Sequence, residues 1–384
     1  MKLSLRPTVL HVRVLADRGG GPDKTILHSI KHLKAAGYRA AIAYIHPPDH
    51  DGIQPILERA RQRHAPVFTI PDRGALDVGT AFRLAQLCHD LEVRIWHAHD
   101  YKSEAIGLML KGVLPMRLVS TLHGYVHADR KAQVLYEVGR QCLRGYHHVL
   151  VVSPDLADAA RQAGVNDNHL TYVPNGIDHQ ANQRTQTTAQ ARQALGIDPN
   201  RKVIAVSARL SGEKRIDRAI ALLYELQKKQ IDAELHLAGD GPLRAELQDQ
   251  AATLGVTDRV VFHGWLNQTA ALLEAADLVL LPSDKEGLPN ALLEAMARST
   301  AVAATPVGGV PDLLDHGNAG RLLAGPVTNW IQPIANLLED DNARQQLALA
   351  GRQRIENHFT FDQRMQKVIR IYDHLLDRKT RRAA

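Results

Sequence analysis

Two glutamates, Glu286 and Glu294, stand at either end of an apolar run in the stretch KEGLPNALLEAMA (285–297). Carboxylate pairs are typical of general acid and base catalysis, so the distance between the two decides what they can do. Pro289 suits the first turn of a helix, which leaves Glu286 in a loop and Glu294 inside that helix. Eight helical residues rise about 12 Å, whereas the carboxyl pairs of glycosidases lie about 5 to 9.5 Å apart. We therefore interpret the two glutamates as holding separate parts of one long ligand.

An alternative places Glu294 on a solvated helix face. Its neighbours Leu292, Leu293 and Met296 argue for a mostly buried helix, in which an unpaired carboxylate is costly. The spacing therefore favours a binding role for Glu294.

Two cations follow the strand-like run KVIAVS (202–207). Arg209 and Lys214 lie at its carboxyl end and in the loop beyond it. Guanidinium and ammonium groups at such a position suit a diphosphate. A solvated basic loop with Glu213 as a partner is the competing interpretation, and the position after a buried strand favours the binding one.

Glycines mark two further turns between a strand and a helix. Gly239 and Gly241 would let a base or ribose lie against the backbone, and Gly19, Gly20 and Gly21 would bring N–H groups close to a phosphate. Plain turns explain the same glycines. The contiguous triplet does not match G-x-G-x-x-G, and no acidic residue ends the next strand, which argues against a dinucleotide-dependent dehydrogenase.

One histidine, His123 in STLHG (120–124), also stands at a strand end, where it could donate to a substrate hydroxyl or phosphate. A single histidine is more often structural, so this prediction depends on position alone. The other histidines among the twenty are scattered along the chain and indicate no common site.

Short apolar runs alternate with helical patterns nearly throughout, which is the rhythm of parallel sheets in an α/β protein. A polar stretch rich in Gln and Thr, residues 179–200, interrupts it. We predict two Rossmann-like doubly wound domains, residues 1–180 and 181–360, followed by a packing helix over 361–378. The predicted strands are 8–15, 40–45, 94–99, 117–124 and 147–153 in the first domain, and 202–207, 233–239, 259–264, 277–282 and 301–305 in the second.

Composition excludes several classes of protein. No apolar run reaches 18 residues and no leader pattern precedes the first strand, so we predict a cytoplasmic protein. Cys88 and Cys142 lack metal-ligand spacing, and no metal site is predicted. The net charge of +6 suits anionic partners, but basic residues are mixed with acidic ones and not interleaved with aromatics, which argues against nucleic acid. The basic and apolar segment 127–146 either rests on anionic lipid as a peripheral contact or packs on the sheet.

Taken together, these motifs resemble the retaining glycosyltransferases of family four, which have the GT-B fold of two Rossmann-like domains facing across a cleft. The resemblance covers nearly the whole chain and rests on the order and spacing of its motifs. They are the glycine loop 19–21, TLHG (121–124), VPNGID (173–178), SARL (207–210) with Lys214, GDGP (239–242), EGLP (286–289) with Glu294, and GGVPD (308–312).

The resemblance implies a role for each matching residue. In the family's E-x7-E motif, Glu286 would contact hydroxyls of the donor sugar and Glu294 the ribose, while His123 would face the transferred sugar. Arg209 and Lys214 would bind the diphosphate and offset the charge of the leaving nucleotide. Backbone N–H groups would add to phosphate, sugar or acceptor binding at Gly287, Leu288, Gly239, Gly241 and the loop Gly19, Gly20, Gly21.

The implied reaction moves a sugar from a nucleotide-sugar donor to a glycan or lipid-linked acceptor with retention of configuration, without a metal or other cofactor. Two departures from the family pattern are Arg215, where glycine is frequent, and Asp312, where glutamate is frequent. A nucleotide-sugar epimerase and a non-catalytic sugar-nucleotide-binding protein remain as alternatives. Whether the donor is of the UDP, GDP or ADP type is left open.

Overall fold

The computed structural model describes residues 6–15, 19–74, 77–124, 136–137, 139–266 and 268–377. The chain divides into two compact units. Unit one runs to Pro174 and resumes at Asp362, and unit two comprises Asn175–Phe361. Among the residues described, no helix has the length and apolar character needed to cross a membrane.

Unit one contains a seven-stranded sheet in which every pairing is parallel, with strand order β3-β2-β1-β4-β5-β6-β7. Its strands are β1 Thr8–Val14, β2 Arg39–His46, β3 Val67–Pro71, β4 Val93–Ala98, β5 Arg117–Leu122, β6 His148–Val151 and β7 Leu170–Tyr172. Its helices are α1 Gly21–Ala35, α2 Ile53–Gln62, α3 Val78–Asp90, α4 Tyr101–Leu110 and α5 Pro154–Gln162, joined by α14 Phe361–Leu375 from the end of the chain.

Unit two contains a six-stranded parallel sheet with order β10-β9-β8-β11-β12-β13. Its strands are β8 Lys202–Ser207, β9 Ala233–Ala238, β10 Val260–Gly264, β11 Leu278–Leu281, β12 Ala301–Ala304 and β13 Arg321–Leu322. Its helices are α6 Thr188–Leu195, α7 Ile216–Lys228, α8 Arg244–Thr253, α9 Ala270–Ala275, α10 Asn290–Ala297, α11 Val310–Leu313, α12 Ile331–Glu339 and α13 Asp341–His358.

Both sheets reverse their strand order once, between β1 and β4 in unit one and between β8 and β11 in unit two. Ligands in open parallel sheets bind outside the carboxyl ends of the strands at such a switch point. The predicted α/β fold is confirmed, and each of the ten predicted strands is present. The prediction missed β3, β7 and β13, which are short or only partly buried edge strands with a weak apolar signal.

The polar stretch 179–200 is not a free linker, because it contains α6 and is bound to unit two. The N–H of Thr185 donates to Glu274 Oε1 at 3.0 Å, and Arg184 Nη1 donates to the Glu274 carbonyl at 2.9 Å. Arg192 pairs with Asp277 at 2.6 Å. The compact units therefore divide at Pro174, a few residues before the position at which the loss of the strand rhythm places the boundary.

The last helix, α14, packs on unit one through buried polar contacts as well as its apolar face. Tyr38 donates its hydroxyl proton to Asp373 Oδ1 at 2.7 Å, and Tyr372 is hydrogen bonded to His97. Arg364 Nη1 donates to the carbonyls of Val173 and Pro174. The helix thus joins the elements that surround the switch point of the first sheet.

Candidate functional site

In unit two, the loops after β8 and β11 bring two predicted residues together at the switch point. Lys214 Nζ lies 2.8 Å from Glu286 Oε1, and Ser283 donates its hydroxyl to the same oxygen at 2.7 Å. The side chain of Glu286 is only 8% exposed, whereas that of Lys214 is 22% exposed. A nearly buried carboxylate is therefore held by a cation and a hydroxyl at the sheet edge where ligands bind.

The loop that carries Glu286 is fixed by its backbone. The N–H of Gly309 donates to the Gly287 carbonyl at 2.7 Å, and Asn175 Nδ2 donates to the Leu288 carbonyl at 2.9 Å. Gly308 has φ +57°, and a Cβ there would stand 2.0 Å from the carbonyl oxygen of Glu286. The GGVPD motif therefore sets the position of Glu286 through close contact between two loops.

Two predicted glycines have a structural explanation in the same unit. A Cβ at Gly239, where φ is +145°, would stand 1.9 Å from the carbonyl oxygen of Ala208, and one at Gly241 would stand 2.4 Å from that of Leu210. The loops after β8 and β9 therefore pack backbone against backbone. This contact accounts for the glycines without a ligand, and their proposed contact with a nucleotide stays a prediction.

The two arginines near Lys214 differ in their surroundings. Arg209 is exposed in the loop after β8. Arg215 has a left-handed backbone with φ 49°, which gives a physical reason for the family's preference for glycine there. Its guanidinium pairs with Asp217 at 2.8 Å and Asp284 at 2.9 Å, so it is bound to two carboxylates of unit two.

Glu294 lies in α10, as predicted, and is half-buried. Thr269 donates its hydroxyl to Glu294 Oε2 at 3.1 Å. Pro289 precedes α10 as its N-cap residue and does not form part of the first turn. Asp312, the other departure from the family pattern, accepts a hydrogen bond from Arg354 at 3.1 Å and so has a structural partner.

In unit one, four histidines gather at the switch point, which corrects the view that the histidines are scattered. His11 on β1 is opposite His97 on β4, and His99 and His123 follow the ends of β4 and β5. His11 Nδ1 lies 2.9 Å from His99 Nε2, and His99 Nδ1 lies 2.9 Å from His123 Nε2. The rings of His11, His99 and His123 form a hydrogen-bonded series, which we call the imidazole relay.

The sequence contained a signal for this cluster. His97 and His99 are two residues apart, and this spacing puts side chains on the same face of a strand. His11 occupies an inward position on the neighbouring strand, but only the strand order shows that β1 and β4 are adjacent.

Burial lowers the pKa of all four imidazoles, that of His11 to about 3. The buried guanidinium of Arg364 contributes to the lowered pKa values of His11, His97 and His123 in the same direction. The rings are therefore neutral at physiological pH, and each carries one N–H.

His11, His97 and His99 each have a ring nitrogen within 4.8 Å of the others, a separation that a metal ion could bridge. Those nitrogens already have partners. His97 Nε2 is 2.7 Å from Thr121 Oγ1, and its Nδ1 is bonded to Tyr372. The contacts favour a hydrogen-bonded network over a metal centre.

Beside His123 lies a cavity of about 30 Å³, large enough for a water molecule or a hydroxyl group. Glu104 is 4% exposed in its wall and accepts a hydrogen bond from Ser120 at 2.7 Å. The pKa of Glu104 is raised to about 8, chiefly by burial and in part by the Asp100 carboxylate, while the hydrogen bond from Ser120 opposes the increase. The residues that line the cavity are His99, Asp100, Tyr101, Glu104, Thr121, Leu122, His123, Gly124, Tyr136 and Arg140.

The glycine triplet begins α1, but its helix end already holds an anion. Asp23 Oδ2 accepts from the N–H of Gly20 at 2.7 Å, and Asp23 Oδ1 pairs with Arg13 at 2.9 Å. A carboxylate at this end reduces its capacity to bind a phosphate. Residues 16–18 of this loop, and residues 127–135 and 138 of the predicted membrane-contact segment 127–146, lie outside the described residues.

Two family models match the chain in succession. The model for Glycosyltransferase Family 4 matches residues 19–181, and the model for Glycosyl transferases group 1 matches residues 187–354. The two models meet between residues 181 and 187, which lies within unit two and seven or more residues after the division at Pro174.

Curated relatives extend over most of the chain. An N-acetyl-alpha-D-glucosaminyl L-malate synthase from Bacillus anthracis is 27% identical over 305 residues, which is 77% of this chain and 78% of the relative. The lipopolysaccharide core biosynthesis mannosyltransferase LpsB of Rhizobium meliloti is 26% identical, over 74% of this chain and 80% of its own.

Solved structures match the fold along nearly the whole chain. The Anabaena protein HepE in complex with UDP and glucose superposes with a TM-score of 0.83 at 22% identity, covering 95% of this chain and 99% of that one. This match shows the fold of two Rossmann-like units.

The contact between Gly308 and the Glu286 loop gives a first prediction. Gly308→Ala should lower the free energy of unfolding by about 1–3 kcal/mol more than Gly255→Ala, because both add a Cβ at positive φ but only the first meets backbone. Gly255 has φ +70° and no atom within 4 Å of a Cβ. Urea denaturation of both variants measures the difference, and equal losses would contradict the contact.

The buried Glu104 carboxyl gives a second prediction. With a pKa of about 8 in the folded chain against 4.5 when unfolded, the native state holds a proton between these values that the unfolded state has lost. Stability should therefore fall as pH rises from about 4.5 to 8 and level off above. Glu104→Gln should remove this part of the pH dependence. Urea midpoints across this range test it, and parallel curves for both proteins would refute it.

Proposed function

Because this chain belongs to the glycosyltransferases of family four, we propose that it transfers a sugar from a nucleotide-diphosphate donor to a hydroxyl group of an acceptor, with retention of anomeric configuration. The observation that carries the proposal is the Glu286–Lys214 pair at the switch point of the second sheet. The pair combines an acceptor of sugar hydroxyls with a cation for phosphate at one place.

The contacts of Glu286 support its role toward the donor sugar. Its two described hydrogen bonds, from Lys214 and Ser283, both use Oε1. Oε2 is thereby left to accept from a sugar hydroxyl, and the rigid loop holds it in place before the donor arrives. Such preorganised acceptors stabilise a transition state without reorganising during the reaction.

Lys214 and Arg209 serve the diphosphate. An ammonium group has three N–H donors, and the described contacts of Lys214 use one of them, toward Glu286. The others can reach phosphate oxygens, while the exposed Arg209 adds a guanidinium from the same loop region. These cations offset the charge on the leaving diphosphate, so we propose that no divalent metal is needed.

Retention follows in this proposal from a front-face reaction. The acceptor hydroxyl attacks on the side of the departing phosphate, which takes its proton. Glu294 holds the nucleotide ribose, with Thr269 fixing one of its carboxylate oxygens. The N–H groups of Gly287 and Leu288, whose carbonyls are already bound within unit two, add donors at the start of α10.

Unit one supplies hydroxyl recognition. His123 has one ring nitrogen bound to His99, while its buried Nδ1 has no hydrogen-bond partner within the described residues. A sugar hydroxyl would satisfy that atom, which otherwise leaves a buried polar group unpaired. The glycine loop at 19–21 is assigned to the acceptor, because Asp23 occupies the helix end that a phosphate would need.

The relatives support the setting of the reaction. HepE has been solved with UDP and glucose, and LpsB is named as a mannosyltransferase of lipopolysaccharide core biosynthesis. We propose a nucleotide-hexose donor and a glycan or lipid-linked acceptor in surface polysaccharide or glycolipid assembly, with an optional peripheral contact to anionic lipid.

The reaction class is tested with a panel of UDP-, GDP- and ADP-sugars. A true donor should raise the melting temperature and be hydrolysed slowly, with unchanged rates after chelation of divalent metals. Conversion of the donor to an isomeric nucleotide sugar would instead identify an epimerase. Binding without turnover would identify a non-catalytic sugar-nucleotide-binding protein, and absence of both binding and turnover across the panel would refute the proposal.

The two glutamates give separate expectations. Glu286→Gln should lower kcat by about 10²–10³-fold with little change in nucleotide affinity, because in the donor Glu286 contacts the sugar and not the nucleotide, and the amide oxygen of Gln can still accept from Lys214. Glu294→Gln should instead weaken nucleotide binding about tenfold, through loss of a charged ribose contact. Calorimetry with the nucleoside diphosphate and steady-state kinetics separate the two.

A matched control is Glu225→Gln, which removes a carboxylate that faces Lys228 at 3.1 Å on the surface of α7. This variant should change neither kcat nor the affinity for the nucleotide. If both site variants affected turnover and binding equally, the division of roles between the glutamates would be wrong.

A further inference from the structure

The imidazole relay ends inside unit one at Ser29 on α1. The hydroxyl of Ser29 donates to the carbonyl of Ile26 at 2.7 Å, and its oxygen lies 3.5 Å from His11 Nε2. A hydroxyl has one proton. Since that proton goes to Ile26, Ser29 can only accept toward His11, which places the proton of His11 on Nε2.

The protonated nitrogen of His11 determines which nitrogen is protonated in His99 and then in His123. His11 Nδ1 is then a lone pair, so His99 Nε2 donates to it at 2.9 Å. His99 Nδ1 is in turn a lone pair, and His123 Nε2 donates to it at 2.9 Å. Each neutral ring carries one N–H, so His123 Nδ1 is left without a proton.

The outer end of the series agrees with this direction. His123 Nδ1 is buried and has no partner among the described residues, and the cavity of about 30 Å³ adjoins His123. A ring nitrogen that carries a lone pair accepts a hydrogen bond but cannot donate one. The reverse direction would put the His11 proton on Nδ1 and leave Nε2 as a lone pair facing the Ser29 oxygen, whose proton is already donated to Ile26, so two acceptors would meet at the inner end.

The series is kept neutral by its surroundings. Burial is the main cause of the low pKa of each ring, and the cations Arg364 and Arg13 act in the same direction on His123. A neutral series has only two directions, and a single fixed end selects one of them for all three rings.

We propose that Ser29, His11 and His99 are positioning residues that fix His123 as a hydrogen-bond acceptor, so that Nδ1 accepts a hydrogen bond from a carbohydrate hydroxyl. The substrate group recognised here is therefore a free hydroxyl, and a phosphate or carboxylate oxygen is rejected because two acceptors would face each other. This role rests on the proposed function, whereas the tautomer itself does not.

The tautomers are measured by long-range proton–nitrogen correlation spectra of the full chain labelled with nitrogen-15 histidine, without substrate at neutral pH. We expect protonated Nε2 and unprotonated Nδ1 at His11, His99 and His123, with assignments from single histidine variants. A protonated Nδ1 at His123, or a doubly protonated ring, would overturn the proposal. So would the uptake of one equivalent of zinc by His11, His97 and His99.

Ser29→Ala is the decisive variant, because it removes the inner acceptor with little change in volume. All three rings should then show a mixture of tautomers, and kcat should fall about fivefold with little change in nucleotide affinity. The matched control is Thr25→Ala, which removes a buried hydroxyl one turn earlier on α1 that donates to the Gly21 carbonyl at 3.4 Å. The control should leave the tautomers unchanged.

Unchanged tautomers in Ser29→Ala would show that Ser29 does not set the direction and would overturn its role. The spectra also separate this proposal from the proposed function. If no nucleotide sugar were turned over but the tautomers were as expected, the transferase proposal would fail while the assignment of His123 as an acceptor would stand.

Discussion

The structure depends on one constraint of parallel sheets. At a switch point the connections from two adjacent strands leave on opposite faces, so the carboxyl ends of those strands are not covered by a crossover. Both units have such a point, between β1 and β4 and between β8 and β11. Polar and charged groups can lie there at the edge of a core that is otherwise apolar, and the histidine cluster and the Glu286–Lys214 pair do so.

The Glu286–Lys214 pair and the histidine cluster offset the free-energy cost of burying polar groups in different ways. In unit two a carboxylate is paired with a lysine and a hydroxyl through one of its oxygens. In unit one the imidazoles are kept neutral by burial next to Arg364 and are satisfied by each other. A charged site suits phosphate and developing charge, whereas a neutral relay suits the directional recognition of a hydroxyl.

Glycine has a less direct role in this molecule than its motifs suggest. Gly239 and Gly308 lie against the carbonyl groups of neighbouring loops, at distances that no side chain allows. The loops after successive strands thereby support each other, and Glu286 is held through its own carbonyl, which lies against Gly308. The precision of the site comes from this backbone packing.

The sequence by itself determined the α/β class, ten of the thirteen strands that the structure describes, the placement of Glu286 and Lys214 after strand ends, and that of Glu294 in a helix, because apolar periodicity and glycine turns are local signals. It did not show that Lys214 and Glu286, 72 residues apart, form a pair, or that His11 meets His99. Strand order decided these contacts, since a parallel sheet brings together residues whose separation along the chain has no local trace. Edge strands and the exact division between the units were also set by tertiary packing, which anchors the polar stretch after Pro174 on unit two.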